Sequence, residues 1–291
     1  MITPNEYRPE LGKMLGYEGL YLKREDLHPY ASHKGRSIPF MIDYYHERGE
    51  RQFAISSSGN AAIAAALHID HINADPDIQD PIKLKIFVGN NIATPKLNTL
   101  RQVCADNITL EQCERQLMAL SDATKEGYIS LRQSTDEIAL TGYKQLAEEL
   151  IAIPKLETVF IAASSGTAAE ALARYFVDAT DKISVNIVQT SSCHALADAF
   201  GTYVLPKEQS AADAIIDIIA YRKQALFDII VKSGGNAWCA TNDEIANVVA
   251  IAKSNDLDIS ANGALPLVAL KQAIDHGRHF DGNVVCIISG Q

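Results

Sequence analysis

Short apolar runs alternate with stretches of helical periodicity along the whole chain. Six runs predict buried strands, at residues 53–56, 84–88, 108–110, 159–163, 185–189 and 284–288. Seven stretches predict helices, at residues 61–68, 95–103, 110–124, 141–150, 168–176, 242–254 and 264–276. A repeated order of strand and helix favours parallel sheets that are covered by helices and joined by right-handed crossovers. The pattern therefore predicts an α/β fold.

The Ser- and Gly-rich turns of the chain fall into two groups, on either side of the helix predicted at 141–150. With 291 residues, of which 47% are hydrophobic, the chain can form one large core or two smaller ones. We expect two lobes, each with a mainly parallel twisted sheet flanked by helices. The small lobe is predicted to span 43–140, and the large lobe to combine 1–42 with 141–291.

Net charge and hydropathy restrict the classes of molecule or membrane with which the protein is expected to associate. The formal net charge of −10 argues against a nucleic-acid surface and against an anionic membrane surface. No apolar run reaches the roughly 18 residues that a membrane-spanning helix needs. The first residues carry neither a basic stretch nor an apolar core, so we expect no secretory signal.

Five cysteines stand far apart, with no Cys-x-x-Cys pair, at positions 104, 113, 193, 239 and 286. Their odd number and wide spacing fit reduced thiols of a cytoplasmic protein that mainly fill the core. Together with the absence of histidines or carboxylates at ligand spacing, they also argue against a metal site.

Lys34 lies between a predicted strand and a predicted helix, in the segment Lys-Arg-Glu-Asp-Leu-His-Pro-Tyr-Ala-Ser-His-Lys-Gly-Arg at 23–36. A lysine amine forms a Schiff base with an aldehyde when its surroundings keep part of it unprotonated. Taken alone, such a segment is typical of a solvated turn, because exposed lysines are common. The segment indicates chemistry only in combination with two hydroxyl-rich turns elsewhere in the chain.

Two hydroxyl-rich turns each follow a predicted strand and precede a predicted helix. In the first turn, Ser57, Ser58 and Gly59 offer backbone N–H groups to a carboxylate, and Asn60 offers a side-chain donor. The second turn consists of Ala163, Ser164, Ser165, Gly166 and Thr167, whose N–H groups and hydroxyls suit a phosphate. Each turn alone is also explained as an ordinary helix cap.

Ser289 follows the last predicted strand and could hydrogen-bond a pyridine nitrogen; a strand-ending Ser-Gly turn is the simpler reading of this residue alone. Neither a Walker loop nor a Gly-x-Gly-x-x-Gly segment is present. A lysine combined with carboxylate- and phosphate-binding turns favours pyridoxal 5'-phosphate acting on an amino acid.

The segment around Lys34 resembles the lysine segment of the fold-type II pyridoxal-phosphate enzymes, the tryptophan synthase β-like superfamily. The spacing from Glu25-Asp26 to Lys34 is most similar to the threonine synthase and threonine/serine dehydratase branch. The turn at 57–61, the segment at 138–144, the turn at 163–167 and the Ser-Gly pair at 289–290 resemble further family motifs in the family's order. The similarity covers most of the chain.

The resemblance implies a role for each of these residues. Lys34 would bond the cofactor aldehyde and move the Cα proton. Asn60 would contact the cofactor's phenolate oxygen, and Ser57, Ser58 and Gly59 would receive the substrate carboxylate. Ala163, Ser164, Ser165, Gly166 and Thr167 would hold the phosphate, and Ser289 would face the ring nitrogen.

The implied activity is elimination or replacement at Cβ or Cγ of a small amino acid, as in threonine synthase or threonine/serine dehydratase. A cysteine synthase-like β-replacement is an alternative. A catalytically silent protein of this fold is another, because His33, Gly35 and the single glycine of the 163–167 turn depart from the family pattern. A nucleotide-binding α/β protein is disfavoured by the missing fingerprints. The oligomeric state stays open, although a homodimer is the commonest assembly.

Overall fold

The structure is a computed structural model of the chain and describes residues 2–180, 183–201 and 209–290. It divides into two compact units. The larger unit combines Met1–His28 with Tyr143–Gln291, and the smaller unit is Pro29–Gly142.

The larger unit contains a six-stranded sheet. Its strands are β1 (Asn5–Tyr7), β2 (Leu20–Arg24), β7 (Leu156–Ala162), β8 (Ser184–Thr190), β9 (Ala237–Ala240) and β10 (Asn283–Ile288). They are arranged in the order β1-β2-β10-β7-β8-β9. Only β1 is antiparallel to its neighbour. The central strands are rich in Val and Ile and buried, as expected for a parallel sheet covered on both faces.

Helices cover this sheet on both faces. They are α1 (Pro9–Leu15), α7 (Lys144–Ile151), α8 (Thr167–Ala179), α9 (Lys223–Lys232), α10 (Asn242–Lys253) and α11 (Ala261–Asp275). Apolar residues of α1, α10 and α11 form one core with Phe160, Val284 and Cys286. Helices α8 and α9 pack against β8, and α7 packs against α8. Because strand side chains alternate between faces, these three helices form the second layer.

The smaller unit contains a four-stranded, fully parallel sheet. Its strands are β3 (Gln52–Ser56), β4 (Lys83–Gly89), β5 (Ile108–Cys113) and β6 (Ile129–Ser130), in the order β5-β4-β3-β6. Its helices are α2 (Lys34–His46), α3 (Asn60–Asn73), α4 (Thr94–Val103), α5 (Gln116–Lys125) and α6 (Ile138–Thr141). The buried alanines of α3 allow α2 to pack closely beside it, and α5 covers the opposite face.

The structure confirms the predicted α/β class and finds a strand at each of the six predicted positions. The prediction of a helix over 110–124 is wrong in its first part, because β5 continues to Cys113 and α5 begins only at Gln116. The predicted helix at 141–150 is divided between α6 and α7, with Gly142 and Tyr143 between them.

The unit boundaries differ from the predicted lobe boundaries at both ends. Residues 29–42, which the sequence pattern places in the large lobe, belong to the smaller compact unit. The reason is packing: Ile38, Met41 and Ile42 of α2 are buried with Phe53 and other residues of the smaller unit. The second boundary falls at 142/143 rather than at 140/141.

Candidate active site

Lys34 is the first residue of α2 and is half-buried. The preceding turn is fixed by Ser32, which is fully buried and whose Oγ accepts the Lys34 backbone N–H at 3.3 Å. The Gly35 N–H donates to the Ser32 carbonyl at 3.0 Å, which starts the helix at this point. The local sequence therefore holds the Lys34 backbone in a defined position.

The Lys34 side chain reaches a partner that is distant in the sequence. Its Nζ donates a hydrogen bond to Gln133 Oε1 at 2.7 Å, and Gln133 is 6% exposed. Sequence reasoning missed Gln133, because it belongs to no motif and its role depends on a contact across 99 positions. Gln133 lies shortly after β6, which pairs with β3.

The turn at 57–59 joins the end of β3 to the start of α3. Gly59 is the N-cap residue of α3, and its N–H donates to Ser57 Oγ at 3.3 Å. A Cβ atom built on Gly59 would meet nothing within 4 Å, so the backbone faces open space here. As a glycine, the N-cap residue offers no side-chain acceptor to the first-turn N–H groups of α3. Ser58 and the first helical residue, Asn60, are half-buried at the same helix end.

Topology brings these groups of the smaller unit to one edge of its sheet. Helix α2 runs back towards the start of β3, so its first residue, Lys34, lies at the carboxyl edge of the parallel sheet. The 57–59 turn and Gln133 follow the carboxyl ends of neighbouring strands and lie at the same edge. This edge is where open α/β sheets bind ligands.

In the larger unit, the turn at 163–167 joins β7 to α8. Gly166 has φ +82°, a left-handed conformation that favours glycine, and a Cβ there would lie 2.6 Å from Leu226. No side-chain cap hydrogen bond is present at this helix start within the described part of the chain. The first-turn N–H groups of this 13-residue helix, with the hydroxyls of Ser165 and Thr167 3.0 Å apart, are donors of the kind that suits an anion.

Two neighbours fix this turn from either side. The buried Gln189 side chain donates to the Ala163 carbonyl at 3.0 Å and accepts the N–H groups of Leu196 and Ala197. Ser164 Oγ donates to Asp217 Oδ2 at 2.6 Å. Ser164 is therefore engaged with the polypeptide, whereas Ser165 and Thr167 bond each other.

Charged groups near the start of α8 form a cluster around a buried carboxylate. Glu170 is fully buried and pairs with Arg222 at 3.2 Å and with Arg174 at 2.5 Å. An acidic residue in the first turn of a helix interacts favourably with the helix dipole. The same negative charge repels an anion that is bound at this end of the helix. The two guanidinium groups offset that negative charge.

Ser289 directly follows β10 and is 8% exposed. Since Ile287 pairs with Ile161, Ser289 lies level with the beginning of the 163–167 turn on the neighbouring strand. The larger unit thus places the two predicted cofactor elements, the turn and Ser289, at the carboxyl edge of its own sheet. No group of three or more His, Cys, Asp and Glu in the described residues is arranged to hold a metal ion.

The donor sets fit pyridoxal phosphate. The turn at 163–167 supplies backbone N–H groups and hydroxyls of the kind that hold a phosphate. Ser289 supplies a neutral hydroxyl, and Lys34 supplies a primary amine.

The fold and these sites define a class of two-unit, parallel α/β proteins with Ser/Gly turns at the carboxyl edges of both sheets. The sequence pattern that describes the pyridoxal-phosphate dependent enzymes matches residues 2–290, so the chain belongs to the pyridoxal-phosphate dependent enzyme family. Pyridoxal 5'-phosphate is its cofactor. No curated protein sequence matches the chain significantly.

Solved structures with the same fold are distant in sequence. A pyridoxal 5'-phosphate-dependent aspartate racemase matches with a TM-score of 0.82 at 20% identity, covering 100% of this chain and 90% of the racemase. Threonine deaminase isoform 2 from Solanum lycopersicum, in its processed form, has a TM-score of 0.82 at 19% identity, covering 99% and 83%. A fungal L-serine ammonia-lyase from Rhizomucor miehei has a TM-score of 0.77 at 16% identity, covering 100% and 93%. At these identities the likeness establishes the fold alone.

The part of the chain that the structure describes contains no helix long and apolar enough to cross a membrane.

Proposed function

We propose that this protein removes the Cα proton of a small amino acid and then eliminates or replaces its β- or γ-substituent, in the manner of threonine/serine ammonia-lyases or threonine synthase. The observation that carries the proposal is the Lys34 amine, which is held by the neutral Gln133 acceptor at the same sheet edge as the 57–59 turn. An amine and a carboxylate-binding turn at one edge suit an α-amino acid.

When bound, pyridoxal phosphate supplies an electron sink that makes the Cα proton removable. Lys34 is the residue that would bond its aldehyde carbon. Lys34 Nζ, when unprotonated, accepts the Cα proton. Gln133 Oε1 orients that nitrogen by accepting one of its hydrogens. Because Gln133 is neutral, it favours the charged ammonium form less than a carboxylate at the same place would.

The substrate carboxylate is assigned to the turn of Ser57, Ser58 and Gly59. The open space at Gly59 permits close approach to the backbone, and the 14-residue helix α3 adds its dipole. Asn60 is assigned to the cofactor's phenolate oxygen, to which its side-chain amide would donate.

The cofactor phosphate is assigned to the turn formed by 163–167, and its ring nitrogen to Ser289. Ala163, Gly166 and Thr167 contribute backbone groups. Ser165 contributes a hydroxyl, whereas the Ser164 hydroxyl already donates to Asp217. A neutral hydroxyl at the ring nitrogen would leave that nitrogen mostly unprotonated, and the cofactor would then be a weaker electron sink than with an Asp partner.

A substrate screen tests the proposed reaction. The protein loaded with pyridoxal phosphate is incubated with serine, threonine, O-acetylserine plus sulfide, and O-phosphohomoserine. We expect ammonia with a 2-oxo acid, or a β- or γ-replacement product. Substitution of Lys34 by Ala should lower the rate by about a thousandfold or more, since proton transfer at Cα is lost. The matched control is Lys125→Ala, which removes an exposed lysine paired with Asp122 in the same unit.

Chiral analysis of the same reactions separates the rival activities. Formation of the D-amino acid without elimination or replacement would contradict the proposal and indicate a racemase. A protein that binds the cofactor but changes none of these amino acids would support the catalytically silent alternative.

A further inference from the structure

Residues 209–222, called the strap below, carry no helix or strand in their described part and are fixed by polar side chains of three other elements. Asn242 Oδ1 accepts the Ala211 N–H at 2.9 Å. Asn262 Oδ1 accepts the Ala214 N–H at 3.0 Å. Both asparagines lie at helix starts, at the carboxyl edge of the larger sheet. The strap therefore runs along the edge to which the cofactor phosphate is assigned.

The third attachment point is Ser164, inside the 163–167 turn itself. Its Oγ accepts the N–H groups of Ile216 at 3.1 Å and Asp217 at 3.2 Å, and donates to Asp217 Oδ2 at 2.6 Å. A serine hydroxyl has one proton to donate and two lone pairs. All three positions are used by the strap, so Ser164 has no hydrogen left for a phosphate while this arrangement lasts.

The Asp217 carboxylate also brings a negative charge to the turn. No ion pair involves Asp217 among the described residues, and the nearby Arg222 and Arg174 both pair with Glu170. Among the residues that the structure describes, the Asp217 carboxylate accepts a hydrogen bond from Ser164 alone. A carboxylate one hydrogen bond away from a phosphate-binding turn repels a phosphate dianion.

We propose that Asp217 sets the affinity of the 163–167 turn for the cofactor phosphate. It does so by accepting the hydrogen bond that the Ser164 hydroxyl can donate and by charge repulsion. The turn therefore binds the phosphate less tightly than the same turn with a neutral residue at 217. This inference rests on the proposed assignment of the phosphate to 163–167. Asp217 is then a positioning residue, which acts on the phosphate through Ser164. By lowering the affinity for the phosphate, it allows the cofactor to exchange.

The test compares two probes that differ only in the phosphate. Dissociation constants of pyridoxal 5'-phosphate and of pyridoxal are measured by equilibrium dialysis for the full chain and for Asp217→Asn. Asn keeps an oxygen that can accept the Ser164 hydrogen but removes the charge. We expect pyridoxal 5'-phosphate to bind about five- to tenfold more tightly to the variant, the size of a partly screened interaction between nearby charges. Pyridoxal binding should not change.

Asp213→Asn is the matched control, since Asp213 lies on the same strap and its carboxylate accepts a hydrogen bond from the Asn262 side chain. It should leave both dissociation constants unchanged. Asp217→Ala, which removes the acceptor as well as the charge, should tighten pyridoxal 5'-phosphate binding at least as much as Asp217→Asn.

The outcomes separate this inference from the assignment beneath it. Equal affinity of the parent chain and both Asp217 variants for pyridoxal 5'-phosphate would overturn the role of Asp217 alone. An equal change for both probes would also overturn it, since the effect would not involve the phosphate. If the parent chain and every variant bound both probes equally well, the assignment of the phosphate to 163–167 would fail as well.

Discussion

At the scale of single residues, Lys34 and Gln133 differ in how far the sequence indicates their role. The lysine segment and the hydroxyl-rich turns are continuous in sequence, and their residue types suggest amine and anion chemistry directly. Gln133 and Asp217 have no such signature, because each gains its role from one tertiary contact. The sequence therefore indicates the continuous segments of the candidate site but not the side chains that position them.

A charge change at Gln133 tests its role. In Gln133→Glu, a carboxylate beside Lys34 would stabilise the ammonium form. The pH at which pyridoxal phosphate reacts with Lys34 should therefore move upward by about one unit or more. The measurement is the initial rate of the cofactor's absorbance change as a function of pH.

Gln112→Glu provides the control, because Gln112 is exposed on strand β5 of the same unit. It should leave the pH profile where it was. An unshifted profile in Gln133→Glu would show that this side chain does not act on the lysine amine.

At the scale of elements, the errors of the sequence prediction have physical causes. Strand β5 is an edge strand that pairs only with β4, and its residues Glu111 and Gln112 are exposed. Polar residues at an edge hide the alternation that marks a strand, so the pattern extended the next helix backwards over it. Strands β1 and β6, of three and two residues, are too short to give a periodic signal.

The break between α6 and α7 also depends on tertiary packing. A Cβ on Gly142 would lie 2.6 Å from the Ser37 Cα, and Ser37 Oγ donates to the Ala139 carbonyl at 2.7 Å. The close approach of α6 to α2 therefore requires glycine at 142. A periodic apolar pattern carries no information about this contact.

The β7–α8 turn can be tested through Gly166. Gly166→Ala combines a left-handed φ with a close contact to Leu226, and we expect a loss of about 2–4 kcal/mol in the free energy of unfolding. Gly277→Ala is the control, since Gly277 has φ +79° but open space around it, and it should lose only about 1 kcal/mol. Urea denaturation of both variants gives the comparison. If both variants lost the same free energy of unfolding, the close contact between a Cβ at position 166 and Leu226 would have no measurable effect on stability.

At the scale of the whole molecule, periodicity was sufficient to predict the α/β class, since its strongest strands lie in the buried centres of two parallel sheets. The exact positions in the chain at which one unit ends and the other begins were not predictable. They depend on whether α2 packs with the strand before it or the strand after it, and a linear pattern does not encode that choice. Which lobe carries which part of the reaction stays a prediction.

Buried thiols predict how the stability of the whole molecule depends on alkaline pH. Burial, followed by the charge of Glu244, raises the pKa of Cys239 from 9.0 to about 12, and burial raises that of Cys193 to about 11. The folded state therefore holds these protons after the unfolded state has released them. Their contribution to stability is complete below pH 9 and is lost between about pH 9 and 12.

Chemical denaturation at several pH values measures this contribution. The free energy of unfolding should fall less steeply between pH 9 and 11 in Cys239→Ala than in the parent chain. The control is Cys113→Ala, which removes a half-buried thiol of strand β5 whose pKa is raised mainly by burial. If the free energy of unfolding fell equally steeply with pH in the parent chain and in Cys239→Ala, the Cys239 thiol would not be a cause of the pH dependence.

Every role proposed for the residues of the candidate active site depends on a bond between the Lys34 nitrogen and the cofactor aldehyde. Borohydride reduction of the protein loaded with pyridoxal phosphate, followed by peptide mass mapping, tests it most directly. We expect one stable phosphopyridoxyl adduct, on the peptide that contains Lys34. An unmodified Lys34 peptide at full cofactor occupancy, or an adduct on another lysine, would contradict it.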